Sequence, residues 1–385
     1  MAESADAPGL GPGPRKGVEV QILSPAPLTT VSHPGTLSPV PHLVAAPDKF
    51  RGTASAGEVA AAVADAARAA GWTAEEVPMS DGGEGLLAAV GGEAHASLVT
   101  GPLGARVRAE WRMLAPVDGV PRTAVIEMSR AAGRALVPRP RHDDPVRATT
   151  TGVGQLLLAA RDAGAQRIVI GCGGSATTDG GLGAFEAVGT PDALGGVDLV
   201  VASDVTTLFA DAARVFGPQK GATAAQVVEL GARLTDVAER YRRRTGVDVS
   251  DVPGAGAAGG LAGGLVALGA RIEPGFDLVA GLVGLAERMA RADLAVTGEG
   301  HVDPPSFHGK VPGGVLELAR AGGQRPTPLP VLCIAGGADA SVLASPPAGM
   351  EIVSLSARFG KSRARQETVP LISLVTAESL ARFCP

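Results

Sequence analysis

Aromatic side chains are scarce in this chain: eight Phe, two Trp and one Tyr, or 3% of 385 residues. No basic block accompanies them, and the formal net charge is −5. Nucleic-acid binding needs a basic stripe to follow phosphates and aromatic faces to stack bases, so neither half of that chemistry is supplied. Long apolar runs are also missing. "RIVIG" and "VDLVVAS" break at glycines or charges, whereas a membrane span needs ~20 apolar residues. The three cysteines, Cys172, Cys333 and Cys384, have neither CxxC nor zinc-ligand spacing. That excludes a disulfide scaffold and suits a reducing, cytoplasmic setting. Lysine is rare as well, with Lys16, Lys49, Lys220, Lys310 and Lys361 standing against many arginines. Lysines kept in such a biased chain are candidates for chemistry.

The hydrophobic fraction of 45% supplies a sizeable core, and the length suggests two domains. Residues 1–42 are rich in Pro, Gly, Ser, Ala and Thr without periodicity, the signature of a disordered tail. No secretory h-region is visible in them. From Leu43 onward, strand-like runs alternate with helical ones. "SAGEVAAAVADAARAAG" (55–71) predicts a helix with Ser55 as N-cap and Glu58 closing a capping box. Residues 96–128 alternate as antiparallel strands do, and 149–165 and 224–243 predict helices. "APDKFRG", "MSDGGEG", "GCGGSATTDGG", "ASDV", "TGEGHVD" and "AGG" fall at expected strand ends. The pattern predicts an α/β protein with mostly parallel sheets, whose ligands sit beyond the carboxyl ends of the strands.

Three phosphate motifs nearly fit. "FGKS" (359–362) lacks the earlier glycine of a P-loop, because that position is Leu355. "GAGAAG" (254–259) has the GxGxxG spacing but follows Pro253 and a polar stretch, so close packing explains it as well as a nucleotide does. "GCGGSA" (171–176) does follow a strand and keeps a nicotinamide-dependent oxidoreductase open, against which stands the "TTDGG" that comes next. A polar, side-chain-poor loop of this kind lets backbone N–H groups approach an anion.

Asp48, Asp81, Asp179, Asp204 and Asp303 all fall at expected strand ends. A single Asp there is often a turn former, but five together suit Mg²⁺ held through one or two carboxylates and substrate phosphates. Of the six histidines, His33 and His42 lie in or beside the tail, and His95 and His142 read as surface loop residues. His301 and His308 flank Asp303 and are the ones placed to touch a ligand. No GxSxG elbow is present, and Cys172 reads as a small core residue.

Read in order, "APDKFRGTASAGEVA", "SDGGEG", "GPLGARV", "TAVIEMSRAAG", "ATTTGVGQLL", "GGSATTDGGLG", "VFGPQKGA", "PGAGAAGGLAGGL", "TGEGHVD" and "GKVPGGV" resemble the glycerate kinase type 1 family from about residue 43 to 360. The resemblance implies ATP-dependent phosphorylation of D-glycerate to 2-phosphoglycerate with Mg²⁺. It also implies a two-domain α/β fold with helices on both faces of a mostly parallel sheet. Residues 43–80 and 275–385 would form the first, Rossmann- or flavodoxin-like domain, and 81–274 an inserted α/β domain. The chain departs from the family pattern at Thr178, in "SDVTTLF", at His301 where the family has Arg, and at Pro305 where it has Gln. Roughly thirty residues are also missing between "GGLGAFEAVG" and "VDLVVASD".

Phosphoryl transfer needs charge neutralised on the transferred group, a positioned hydroxyl and a clamp for the carboxylate. The catalytic candidates are Asp303, Lys310, Asp179 and Lys49. Asp48, Arg51, Asp81, Glu84, Gly173, Gly174, Ser175, Lys220 and His301 are candidates for binding substrate or phosphate, and Asp204 and Asp179 for metal. For Lys220 a solvated loop position is an equal alternative. His301 is expected to stand in for the family's arginine as a carboxylate clamp. The expected partners are D-glycerate and ATP, with no nucleic acid, no membrane, and a homo-oligomer left open. A ligand-binding relative without catalysis is the third reading beside kinase and oxidoreductase.

Overall fold

The computed structural model describes residues 40–117, 119–137, 144–322 and 327–383. The proposed tail up to residue 39, His33, His142 and Cys384 lie outside them. The tail boundary at 42 moves back: His42 opens the first strand, its N–H donating to Asp293 and its ring contacting Thr73 and Glu75.

Among the described residues, eleven strands form two sheets. β1 (His42–Ala45), β2 (Thr73–Glu76), β9 (Leu294–Val302), β10 (Val331–Ala338) and β11 (Met350–Ser354) make one, in the order β11-β10-β9-β1-β2. All its pairs are parallel. Counted within the sheet, this is the doubly wound order 2-1-3-4-5 of flavodoxin-like folds, whose winding reverses between the paired strands β1 and β9. β3 (Glu93–Thr100), β4 (Arg106–Leu114), β5 (Thr123–Glu127), β6 (Arg167–Gly171), β7 (Asp198–Ala202) and β8 (Arg271–Glu273) form the second sheet in sequence order. Its first two pairings are antiparallel and the remaining three parallel. The chain thus leaves the first sheet after β2, builds the second, and returns.

Alternation fixes which face each strand buries. Leu43 and Ala45 of β1 face the helices Ala56–Ala69 and Thr368–Phe383, while Val44 and Ala46 enter a different cluster. That second cluster also holds Val125, Val169 and Val200 of the other sheet, together with Leu86 and Phe276 from short helices between them. One apolar core therefore bonds both sheets, and Val40–Pro385 behaves as one unit.

The helix Ala56–Ala69 carries the expected box: Ser55 Oγ accepts from Glu58 N (3.2 Å), and the Glu58 carboxylate accepts from Ser55 N (2.8 Å). The helices at Thr151–Asp162 and Ala224–Thr245 likewise form where periodicity places them. Two expectations change. "TGEGH" is strand, not loop, because β9 runs on to Val302 and pairs there with β10. His95 is a half-buried strand residue stacked on Trp111, with ring centroids 4.4 Å apart.

Candidate active site

A cavity of about 1190 Å³ opens at the carboxyl ends of the strands. It is lined from the segment after β1 by Lys49 and Arg51, from the segment after β2 by Asp81, Gly82, Gly83 and Glu84, and from the loop after β6 by Cys172 to Ala176. Asp204 after β7 and Lys220 complete this part of its wall. These five sequence-distant stretches meet there because parallel strands deliver their following loops to one end of each sheet.

Glycine permits the meeting. A Cβ on Gly173 would lie 2.7 Å from Gly83 Cα, and one on Gly275 would lie 2.0 Å from Asp81 O. The loops touch backbone to backbone, so the glycines answer first to packing and only then to any anion. Within β9, Gly300 leaves room for the Phe50–Arg51 backbone to lie against the strand, and Gly298 leaves room for Ile334 O of β10. "GAGAAG" is a packing motif too: Gly256 and Gly259 abut the backbone at Leu208 and Thr177. Glu127, only 2% exposed, accepts from Gly85 N (2.9 Å) and Leu87 N (3.1 Å) and so ties the "SDGGEG" loop to the second sheet.

At the first sheet the side chains are acidic, threaded by two lysines. Lys49 Nζ is 3.4 Å from Asp48 and 3.7 Å from Asp81. Burial raises the pKa of Asp48, against the pull of Lys49, and the charge of Asp81 adds to the rise. Asp204 accepts from Gly275 N (2.7 Å). Burial pushes its carboxyl up to about 6, with Asp81 and Asp277 adding repulsion and Lys310 opposing. Asp303 caps the turn Pro304–Phe307 through Ser306 N (3.0 Å) and Oγ (2.8 Å), and Lys310 Nζ lies 3.6 Å from it. Although burial works the other way, Ser306 and Lys310 hold Asp303 below the usual carboxylate range. Glu299 on β9 is 8% exposed; burial raises its pKa, and its Oε1 has no hydrogen-bond partner among the described residues.

Asp179 is elsewhere and differently employed. Its carboxylate accepts from Thr150 N (2.8 Å), Thr150 Oγ1 (2.9 Å), Gly181 N (3.1 Å) and Gly183 N (3.2 Å), and the residue is 6% exposed. A carboxylate with four donors is spent on folding its own loop. Asp179 does not line the cavity, so the geometry lends its expected catalytic and metal roles no support. Lys220 is also no solvated loop residue: it is buried, and its Nζ donates to Thr177 O and to Thr178 Oγ1 (3.4 Å). Burial pushes it down to about 7; Asp179 opposes that shift and Arg134 adds to it.

Lys49, Arg51, Asp81, Glu84, Gly173, Gly174, Ser175, Asp204 and Lys220 thus share one cavity wall. Asp48 adjoins it through Lys49, and the pair Asp303–Lys310 adjoins it through the field of Lys310 on Asp204. His301 does not line it; its Nε2 meets Asp339 at 2.9 Å on an exposed surface, so the cavity geometry lends the expected carboxylate clamp no support. Burial pushes the Cys172 thiol up to about 12. The helix after "GCGGSA" begins only at Leu182, so the nicotinamide reading lacks the immediate strand–loop–helix geometry it needs. Sequence reasoning missed Glu299, Glu127, Arg108, Arg130 and Arg134. Glu299 lay in the quoted "TGEG", with its apolar-strand context as the available signal; the arginines carried none.

Fold and crevice define an α/β enzyme that gathers lysines and carboxylates where its two sheets meet. The sequence profile of the glycerate kinase family matches residues 43–193 and 189–381, two pieces that meet at the shortened connection before β7. The chain is 42% identical over 317 residues to a glycerate 2-kinase of Escherichia coli (strain K12), covering 72% of this chain and 82% of that protein. A glycerate kinase of Bacillus subtilis (strain 168) is 38% identical over 332 residues, covering 76% and 84%. Among solved structures, one from Salmonella typhimurium LT2 described as glycerate kinase 2 aligns with a TM-score of 0.73 at 32% identity, covering 89% of this chain and 98% of that one. This protein belongs to the glycerate kinase family.

Proposed function

We propose that the protein transfers the γ-phosphoryl group of ATP to the C2 hydroxyl of D-glycerate, releasing ADP and 2-phosphoglycerate. The observation that carries this reading is the convergence of Lys49, Asp81 and Asp204 on one cavity wall, with the Asp303–Lys310 pair beside Asp204, at the carboxyl ends of the strands where the order of the first sheet reverses. Lys49 and Lys310 neutralise charge on the phosphoryl group as it moves. Asp303 holds the Lys310 ammonium in place, and Arg51, which has no carboxylate partner among the described residues, takes the carboxylate of glycerate. The hydroxyl proton passes to a carboxylate of the same cluster.

Among the described residues no group of three or more acids, histidines or cysteines is arranged to hold a metal by itself. The donor set still fits Mg²⁺, which takes one or two carboxylates and completes its shell with phosphate oxygens and water. Asp204, crowded by Asp81 and Asp277, sits where a cation relieves repulsion, and the two residues that would hold it are Asp204 and Asp81. Mg²⁺, when bound, supplies charge neutralisation and orientation of phosphate oxygens. A reducing cytoplasm suits the free thiols of Cys172 and Cys333.

The test is turnover with D-glycerate, ATP and Mg²⁺, followed by ³¹P NMR of the product. Formation of ADP with a phosphoester on C2 is expected. A phosphoester on C3 overturns the regiochemistry, and ATP binding without ADP formation favours the non-catalytic relative.

A further inference from the structure

The cavity has a second pole, and it is basic. Arg108 on β4, Arg130, Arg134 and Lys220 line it on the side of the second sheet. Arg130 is committed to Glu127 at 3.0 Å. Arg108 and Arg134 have no carboxylate within ion-pair distance among the described residues, in a chain of net charge −5 where arginines such as Arg68, Arg271 and Arg288 are paired. Their convergence on one cavity is therefore not a by-product of a generally basic surface.

Two of these cations are built into the same loop. Arg134 N donates to Gly174 O (2.9 Å), and its neighbour Gly133 forms a β-bridge with Ser175. Lys220 Nζ donates to Thr177 O and Thr178 Oγ1, so residues 173–178 carry a cation on each flank. A lysine ammonium has three protons. Two are used here, and among the described residues the third has no acceptor, although Lys220 is 9% exposed and lines the cavity. Asp179, whose charge acts on Lys220, is already occupied by four donors. A buried cation with an unspent proton beside an unpaired guanidinium is a receptor for an anion.

We infer that Arg134 and Lys220, with Arg108 at the rim, form the subsite that takes the phosphate chain of the nucleotide. The inference rests on the kinase reading and assigns its two anionic substrates to opposite poles. A three-carbon acid brings one carboxylate, which Arg51 satisfies; a triphosphate brings several charges along a chain, matching several cations spaced around a loop. At about 1190 Å³ the cavity also exceeds what glycerate fills.

The test is equilibrium binding of inorganic tripolyphosphate by calorimetry, without turnover, to the parent protein, Arg134→Ala, Lys220→Met and the exposed control Arg243→Ala. Arg134 is exposed, so its variant leaves the core intact, and circular dichroism checks the Lys220 variant. Arg134→Ala should weaken binding about tenfold or more, as loss of a charge-assisted contact does, and the control should not. In turnover, the KM for ATP should rise by a similar factor while that for glycerate stays within about twofold. Unchanged tripolyphosphate affinity in Arg134→Ala, or a rise confined to the KM of glycerate, overturns the assignment. Should the parent bind tripolyphosphate through Arg134 yet fail to turn over D-glycerate, the subsite stands and the substrate reading falls.

Discussion

Replacing Asp179 by Asn separates a structural carboxylate from a metal ligand. In the parent, Asp179 Oδ2 accepts from Thr150 N, Thr150 Oγ1 and Gly183 N, and Oδ1 accepts from Gly181 N. An asparagine can turn its carbonyl oxygen toward the three donors, but its NH₂ group then faces Gly181 N–H, donor against donor. The lost bond costs ~1.5–3 kcal/mol, the range for a hydrogen bond to a charged acceptor. The three that remain become neutral ones, each weaker by ~0.5–1 kcal/mol. The total is ~3–6 kcal/mol, and at roughly 2 °C per kcal/mol for a chain of this size the melting temperature should fall by ~6–12 °C. Calorimetry measures that fall. Mg²⁺ titration of turnover, well below the melting point, measures the alternative: the half-saturating Mg²⁺ concentration should stay within about twofold. A variant as stable as the parent whose Mg²⁺ requirement rises tenfold would refute the reasoning and return Asp179 to the metal site.

Lys310→Ala should lower kcat ~10²-fold, the scale of losing one electrostatic stabiliser, while stability stays within about 0.5 kcal/mol because the side chain is a third exposed; an unchanged kcat removes it from the site. Lys220 is pushed down to about 7, and an anion binds its charged form. Tripolyphosphate affinity should therefore fall as pH rises from 6 through 8, and a Lys220→Met variant that keeps the full slope would assign it to another group. Gly154→Ala should destabilise by ~1–3 kcal/mol in chemical denaturation, since the new Cβ would sit 2.4 Å from Ala184 O where the helices Thr151–Asp162 and Leu182–Val188 cross; a neutral result would mean that this crossing is loosely packed.

Local order was legible in the sequence for local reasons. The helix at Ala56–Ala69 is written in Ser55, Glu58 and its apolar face, and those features lie within a few residues of the structure they cause. The strands are written in short β-rich runs, and the acids and lysines after them could be assigned to one crevice because parallel sheets deliver following loops to the same end. Lys49, Asp81, Asp204 and Lys220 reach the cavity on that rule.

What each side chain does there was decided by contacts across long stretches of chain. Asp179 and Asp204 look alike in sequence, an acid beyond a strand in each case. One is sealed by Thr150, 29 positions away, while the other stays open with its charge crowded by Asp81 and Asp277. His301 was promising by its neighbours and is removed from the cavity by Asp339. Arg108 and Arg134 look like many other arginines of the chain, and only folding leaves these two unpaired on a shared wall. Periodicity determines which segments become strands and helices, because that preference is set by nearest neighbours. Burial, pairing and the shift of a charge depend on which distant segment arrives, and only the tertiary structure supplies that.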